Sequence, residues 1–124
     1  MKEKRTNIRK KIESHGYKVV YVSHEIIKDY NACYNVIYDG KIACPNAGRM
    51  LGIPINEIWI SKKWQPYEEF ILYHELQEIK YRAQGHDGKT AHEMAEQDEL
   101  RLWKDDSKWK RMNREWGIGR EHLF

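Results

Sequence analysis

Short runs rich in β-formers lie at 17–22, 34–44 and 57–60, and apolar residues recur at three and four residues from Pro66 onward. Residues 3–15 read as a charged helix that stops near Gly16. Tyr17-Lys18-Val19-Val20-Tyr21-Val22 is rich in β-formers and predicts a strand, and Ser23 can cap a short helix over 24–30. Residues 34–44 predict a hairpin around an Asp39-Gly40 type I′ turn, with Tyr38 facing Lys41, Ile37 facing Ile42 and Asn35 facing Cys44. A loop punctuated by Pro45, Gly48, Gly52 and Pro54 follows, then a strand over Glu57-Ile58-Trp59-Ile60. Pro66 suits the first position of a helix that runs from Tyr67 to about Ala83. Gly85-His86-Asp87-Gly88 breaks it, and Thr90 with Glu93 reads as a capping box for a second helix reaching about Met112. Residues 116–124 carry no clear pattern. The expectation is one α+β domain over residues 1–124, a small, mostly antiparallel sheet packed on a central helix with a second, antiparallel helix beside it.

The helix over 67–83 has an unusual wheel. At about 100° per residue, Leu72, Leu76, Ile79 and Ala83 form one apolar stripe. His74 and Glu78 point the opposite way, where a simple amphipathic helix meets solvent, yet Phe70, Ile71 and Tyr81 flank them. A helix apolar on both sides is expected between two layers, with His74 and Glu78 facing the second. Buried polar groups need partners, and a divalent metal suits both an imidazole and a carboxylate. The bland alternatives are a core histidine hydrogen-bonded to a carboxylate, and a Glu78–Arg82 pair four residues apart. On the second helix His92 and Glu99 share one face beside the stripe of Ala91, Ala95, Leu102 and Trp109, with Glu96 slightly farther round. Antiparallel pairing about Asp87 brings residue 74 level with about residue 100, so Glu99 can approach His74 and Glu78, while His92 reaches in if the helices cross at an angle. His92-Glu93-Met94-Ala95-Glu96 repeats the His-Glu-x-x-Glu spacing of residues 74–78; the cap reading of Glu93 makes this a coincidence, and the sharper alternative is a carboxylate-bridged two-metal site between the helices.

Composition narrows the classes. A chain of 124 residues, 40% apolar and 33% charged, suits a folded domain rather than a disordered one. No apolar run is long enough to cross a bilayer, and no signal-length segment follows the basic start, so a cytoplasmic location is the default expectation. Cys33 and Cys44 match no zinc or redox spacing and read as buried thiols, with a disulfide neither required nor forbidden. The net charge of +3 is uneven: basic residues crowd both ends and acidic ones the middle. The ends, with Trp103, Trp109 and Trp116 among lysines and arginines, suit a nucleic-acid-binding module as the competing class.

The run Phe70-Ile71-Leu72-Tyr73-His74-Glu75-Leu76-Gln77-Glu78 resembles the His-Glu-x-x-His helix of the zincin metallopeptidases, most closely the minimal gluzincin-like and phage-repressor-cleaving peptidases. The resemblance covers roughly residues 55–100 and implies a zinc-dependent peptidase acting on a peptide or protein substrate. It places His74 as the first ligand and Glu75 as general base. Glu78 stands where the family has its second histidine, and Glu99 falls where gluzincins place a glutamate. The departure at Glu78 leaves two ligand sets open. His74, Glu78 and His92 make the two-histidine, one-carboxylate set of catalytic zinc sites, whereas Glu99 in place of His92 makes a harder set that suits manganese or iron as well. A zincin-like scaffold without activity is the third alternative.

Overall fold

The computed structural model describes residues 7–28 and 30–116. Asn7 opens α1 (Ile8–Ser14) by accepting a hydrogen bond from the Lys10 amide at 3.1 Å; residues 3–6 of the expected helix lie outside the described residues. The chain continues through β1 (Lys18–Val22), a single-turn α2 (His24–Ile27), β2 (Ala32–Tyr38) and β3 (Lys41–Ala43). Positive φ angles at Asp39 (51°) and Gly40 (78°) give the β2–β3 turn its type I′ form, and Tyr38 pairs with Lys41 and Ile37 with Ile42 as the alternation predicts. After α3 (Asn46–Leu51) and β4 (Glu57–Ser61), a 3₁₀ turn over Lys62–Tyr67 leads into α4 (Glu68–Ala83), then α5 (Gly88–Trp103) and α6 (Ser107–Trp116).

The four strands lie in the order β1-β4-β2-β3, with β1 parallel to β4 and the other two pairs antiparallel. One face, carrying Val19, Tyr34, Val36, Ala43, Ile58 and Ile60, is buried against α1 and α4 in the main core. On the other face Cys33 packs with Ile27 and Ile53 in a smaller cluster. That cluster ends before the hairpin tip, so Ile37 and Ile42 are exposed while Cys33 is buried. Cys44 is half-buried and both thiols are free. The fold is α+β with a mixed sheet, as expected, and among the described residues no helix is long and apolar enough to cross a membrane.

Four local expectations need correction. Residues 45–54 are not all loop: Pro45 precedes α3, and Gly52 closes it at φ 73° with its amide bonded back to Arg49. Gly48 is required there, because a Cβ would stand 2.5 Å from the Tyr34 carbonyl oxygen. Pro66 lies inside the 3₁₀ turn, and the α-helix proper begins two residues later. The cap of α5 is Asp87, whose carboxylate accepts from the Thr90 amide at 2.8 Å; Glu93 is simply exposed. Finally, the helix expected to reach Met112 breaks at Lys104–Asp106, where Asp106 accepts from the Trp109 amide at 2.9 Å and starts α6.

Candidate metal centre

Helix α4 is buried on three sides, and each side follows from a row of residues three and four apart. Leu72, Leu76 and Ile79 belong to the main core. Phe70, Tyr73, His74, Gln77, Glu78 and Tyr81 all meet α5 side chains, among them Trp103, whose ring stands edge-on to Phe70 and Tyr73. Ile71, Glu75, Glu78 and Arg82 line a cavity of about 570 Å³ between α4, the start of α5 and the β2–α3 region. Ala91 and Ala95, fully buried on α5, add little bulk between the two helices.

Three donors converge where the second and third sides of α4 meet. His74 Nε2 lies 3.2 Å from His92 Nδ1 and 3.4 Å from Glu78 Oε2, and His92 Nδ1 lies 3.2 Å from the same oxygen. All three side chains are buried. The remaining ring nitrogens point outward to carboxylates. His74 Nδ1 is bonded to Glu99 Oε2, and His92 Nε2 meets Glu96 Oε2 at 3.1 Å. An imidazole that gives its proton to an outer carboxylate turns a lone pair inward. Where an inward ring nitrogen carries a proton it hydrogen-bonds to Glu78, whereas in this tautomer of both rings two nitrogen lone pairs and a carboxylate oxygen face and repel one another. A cation resolves that repulsion. A tetrahedral ion about 2.0–2.1 Å from each donor separates the donors by about 3.3–3.4 Å, and the three observed edges match that triangle. The His74–Glu78–His92 group can therefore hold a metal ion.

The surroundings orient the donors. Glu99 is fully buried, and its second oxygen, Oε1, accepts from Trp109 Nε1 at 3.2 Å, so α6 braces the carboxylate that braces His74. Glu78 Oε1 accepts from the Tyr34 hydroxyl at 2.5 Å, which leaves Oε2 for the donor triangle. Burial opposes ionisation of Glu78, but hydrogen bonds from His74, His92 and Tyr34 outweigh it and hold the carboxyl well below its ordinary range. Burial likewise opposes charging of His92, yet its bonds to Glu78 and Glu96 raise its pKa. Glu75 behaves in the opposite way to Glu78. It is buried without a comparable set of donors, and burial together with the Glu78 charge pushes it up to about 7 against the opposing pull of His74 and His92.

The structure brings His74, Glu78 and His92 together, with Glu75 on the adjoining cavity wall. Glu99 does approach His74, as the wheel predicts, but on the Nδ1 side, outside the donor triangle. Sequence reasoning missed the bracing roles of Tyr34 and Trp109 and the placement of Arg82 in the cavity. Arg82 shares the row of Ile71, Glu75 and Glu78, which was the available signal. Of the tryptophans considered for base stacking, Trp103 is buried and Trp109 is half-buried and bonded to Glu99; the Trp116 side chain lies outside the described residues. No family model, no curated protein and no solved structure matches this chain.

Proposed function

We propose that the protein is a zinc-dependent peptidase of the zincin type, with His74, Glu78 and His92 as ligands and Glu75 as general base. The observation that carries this reading is the triangle of three inward-facing donors, 3.2–3.4 Å on edge, on the wall of a cavity that Glu75 also lines. Two histidines and one glutamate are a known catalytic zinc set, and three protein ligands leave a fourth position for water or substrate. A cavity of about 570 Å³ is of the size that binds small ligands or short peptide segments.

When bound, zinc supplies a Lewis acid that makes water nucleophilic near neutral pH and polarises a carbonyl oxygen. The chain's own residues do the rest. A Glu75 carboxylate oxygen takes a proton from the attacking water, whose oxygen bonds to the peptide carbon. Glu75 then passes that proton to the departing nitrogen as the C–N bond breaks. Tyr34 fixes the rotamer of Glu78, and Glu99 and Glu96 fix the tautomers of His74 and His92, so no donor has to reorganise during the reaction.

A library of unstructured peptides incubated with the zinc-loaded protein and read by mass spectrometry tests the reading. Cleavage that disappears on adding a chelator and in Glu75→Gln is expected. Zinc uptake without any cleavage would leave a metal-binding scaffold and refute the peptidase.

A further inference from the structure

The cavity wall beyond Glu78 carries a guanidinium, Arg82, that is only loosely paired with the metal centre through Glu78. Arg82 stands one helical turn after Glu78. Its Nε is the single buried side-chain nitrogen or oxygen among the described residues that has no hydrogen-bond partner. The nearest carboxylate oxygen recorded for it, Glu78 Oε1, is 3.9 Å away, too far for a hydrogen bond, and already accepts from Tyr34. Glu78 Oε2 is directed to the two imidazoles. The guanidinium rests against the first turn of α5: a Cβ on Gly88 would stand 2.4 Å from Arg82 Nη2. The next residue, Lys89, is exposed and lines the same cavity. Arg49, also on the lining, is already bonded to the Asn46 side chain and the Cys44 carbonyl.

A buried guanidinium nitrogen without an acceptor is costly, and a turn of the partly exposed Arg82 side chain toward an acceptor in the cavity relieves that cost. Planar guanidinium groups match carboxylates with two parallel hydrogen bonds. Residues one turn apart on a helix stand about 5–6 Å apart at Cβ, so a group docked on Arg82 lies within one or two peptide units of the donor triangle. We infer that Arg82, supported by Lys89, is a docking subsite for a substrate carboxylate, making the cavity selective for peptides with a negative charge close to the bond that is cut. This rests on the peptidase reading for its meaning, though the subsite can be observed without turnover. The carboxylate can belong to a free C-terminus or to an acidic side chain. Two probes separate these sources: N-acetyl-trialanine with a free C-terminus, and N-acetyl-Ala-Glu-Ala amide. N-acetyl-trialanine amide is the uncharged control.

The experiment is a titration of the nitrogen-15-labelled full chain with each probe, with zinc and with chelator, following the Arg82 Nε–Hε resonance. Its assignment comes from its loss in Arg82→Lys. At least one acidic probe should shift that resonance and bind about tenfold or more tightly than the amide control. Which acid prevails tells a C-terminal reader from a side-chain reader. Gly88→Ala, which displaces the guanidinium while favouring the helix, and Lys89→Gln should each weaken acid binding and leave control binding unchanged. Acids that bind no better than the control, or bind without moving the Arg82 resonance, overturn the subsite. Zinc content measured on the same samples keeps the two claims apart. Acid binding at Arg82 in a chain that takes up no zinc upholds the subsite and removes the peptidase reading. Zinc uptake with no preference for acids overturns the subsite and leaves the metal centre standing.

Discussion

Replacing Glu99 by glutamine keeps the side-chain volume and removes a charge that both His74 and Trp109 depend on. The carboxylate accepts at both oxygens: Oε2 from His74 Nδ1 and Oε1 from Trp109 Nε1 at 3.2 Å. An amide has one acceptor oxygen, so either orientation of the new side chain would turn its NH₂ group toward a donor. If it faces His74, the proton on Nδ1 is no longer held there and the inward Nε2 lone pair is lost to tautomerisation. If it faces Trp109, the half-buried indole N–H loses its acceptor, costing at most about 1–3 kcal/mol of stability. Loss of an outer carboxylate behind a metal-bound histidine costs about 10–100-fold in affinity, or about 1.4–2.7 kcal/mol. Competition with a chromophoric chelator at pH 7 reads that loss directly. Zinc affinity in Glu99→Gln within about twofold of the unmodified chain would refute the orienting role of Glu99.

Three other substitutions probe the supports. Trp109→Phe keeps the ring against the core and removes one hydrogen bond to Glu99, so urea unfolding should show a loss of about 0.5–1.5 kcal/mol, with a smaller drop in zinc affinity than Glu99→Gln. Gly48→Ala drives a methyl to within 2.5 Å of the Tyr34 carbonyl oxygen and should cost about 1–3 kcal/mol in the same unfolding assay; an unchanged midpoint would contradict the close approach of α3 to β2. Asp87→Ala removes the α5 cap and should lower the thermal midpoint near neutral pH. The Thr90 amide depresses the Asp87 pKa below 3.8, so the cap contributes above that value and is lost as pH falls through the lower folded-state pKa. The difference between Asp87→Ala and the unmodified chain should therefore shrink in acid, and a constant difference down to about pH 2 would refute it.

What the sequence made legible was local. The Asp39-Gly40 pair dictated a turn with two positive φ angles, and the register of Tyr38 with Lys41 followed from it. The two-sided wheel of residues 70–83 implied a sandwiched helix, because His74 and Glu78 sat among Phe70, Ile71 and Tyr81 rather than facing water. Features that depend on how distant segments meet were not legible. The parallel pairing of β1 with β4 is a non-local choice, and α3 hid behind its own proline and glycines. Two poor helix formers, Asp105 and Asp106, were a weak signal beside the continuing pattern of Trp103, Trp109 and Met112, so the break before α6 was missed. The roles of His92 and Glu99 turned on which ring nitrogen each presents or meets. That depends on the crossing of α4 and α5, which a helical wheel does not contain.

His74, Glu78 and His92 are proposed to form one zinc site. Zinc stoichiometry after loading and gel filtration, measured for the unmodified chain and for His74→Ala, Glu78→Ala and His92→Ala, tests it most directly. One zinc per chain in the first and little in each of the three variants, with the fold retained by circular dichroism, is the predicted result. A chain that retains no zinc, or a folded His92→Ala that retains it undiminished, would rule out this ligand set.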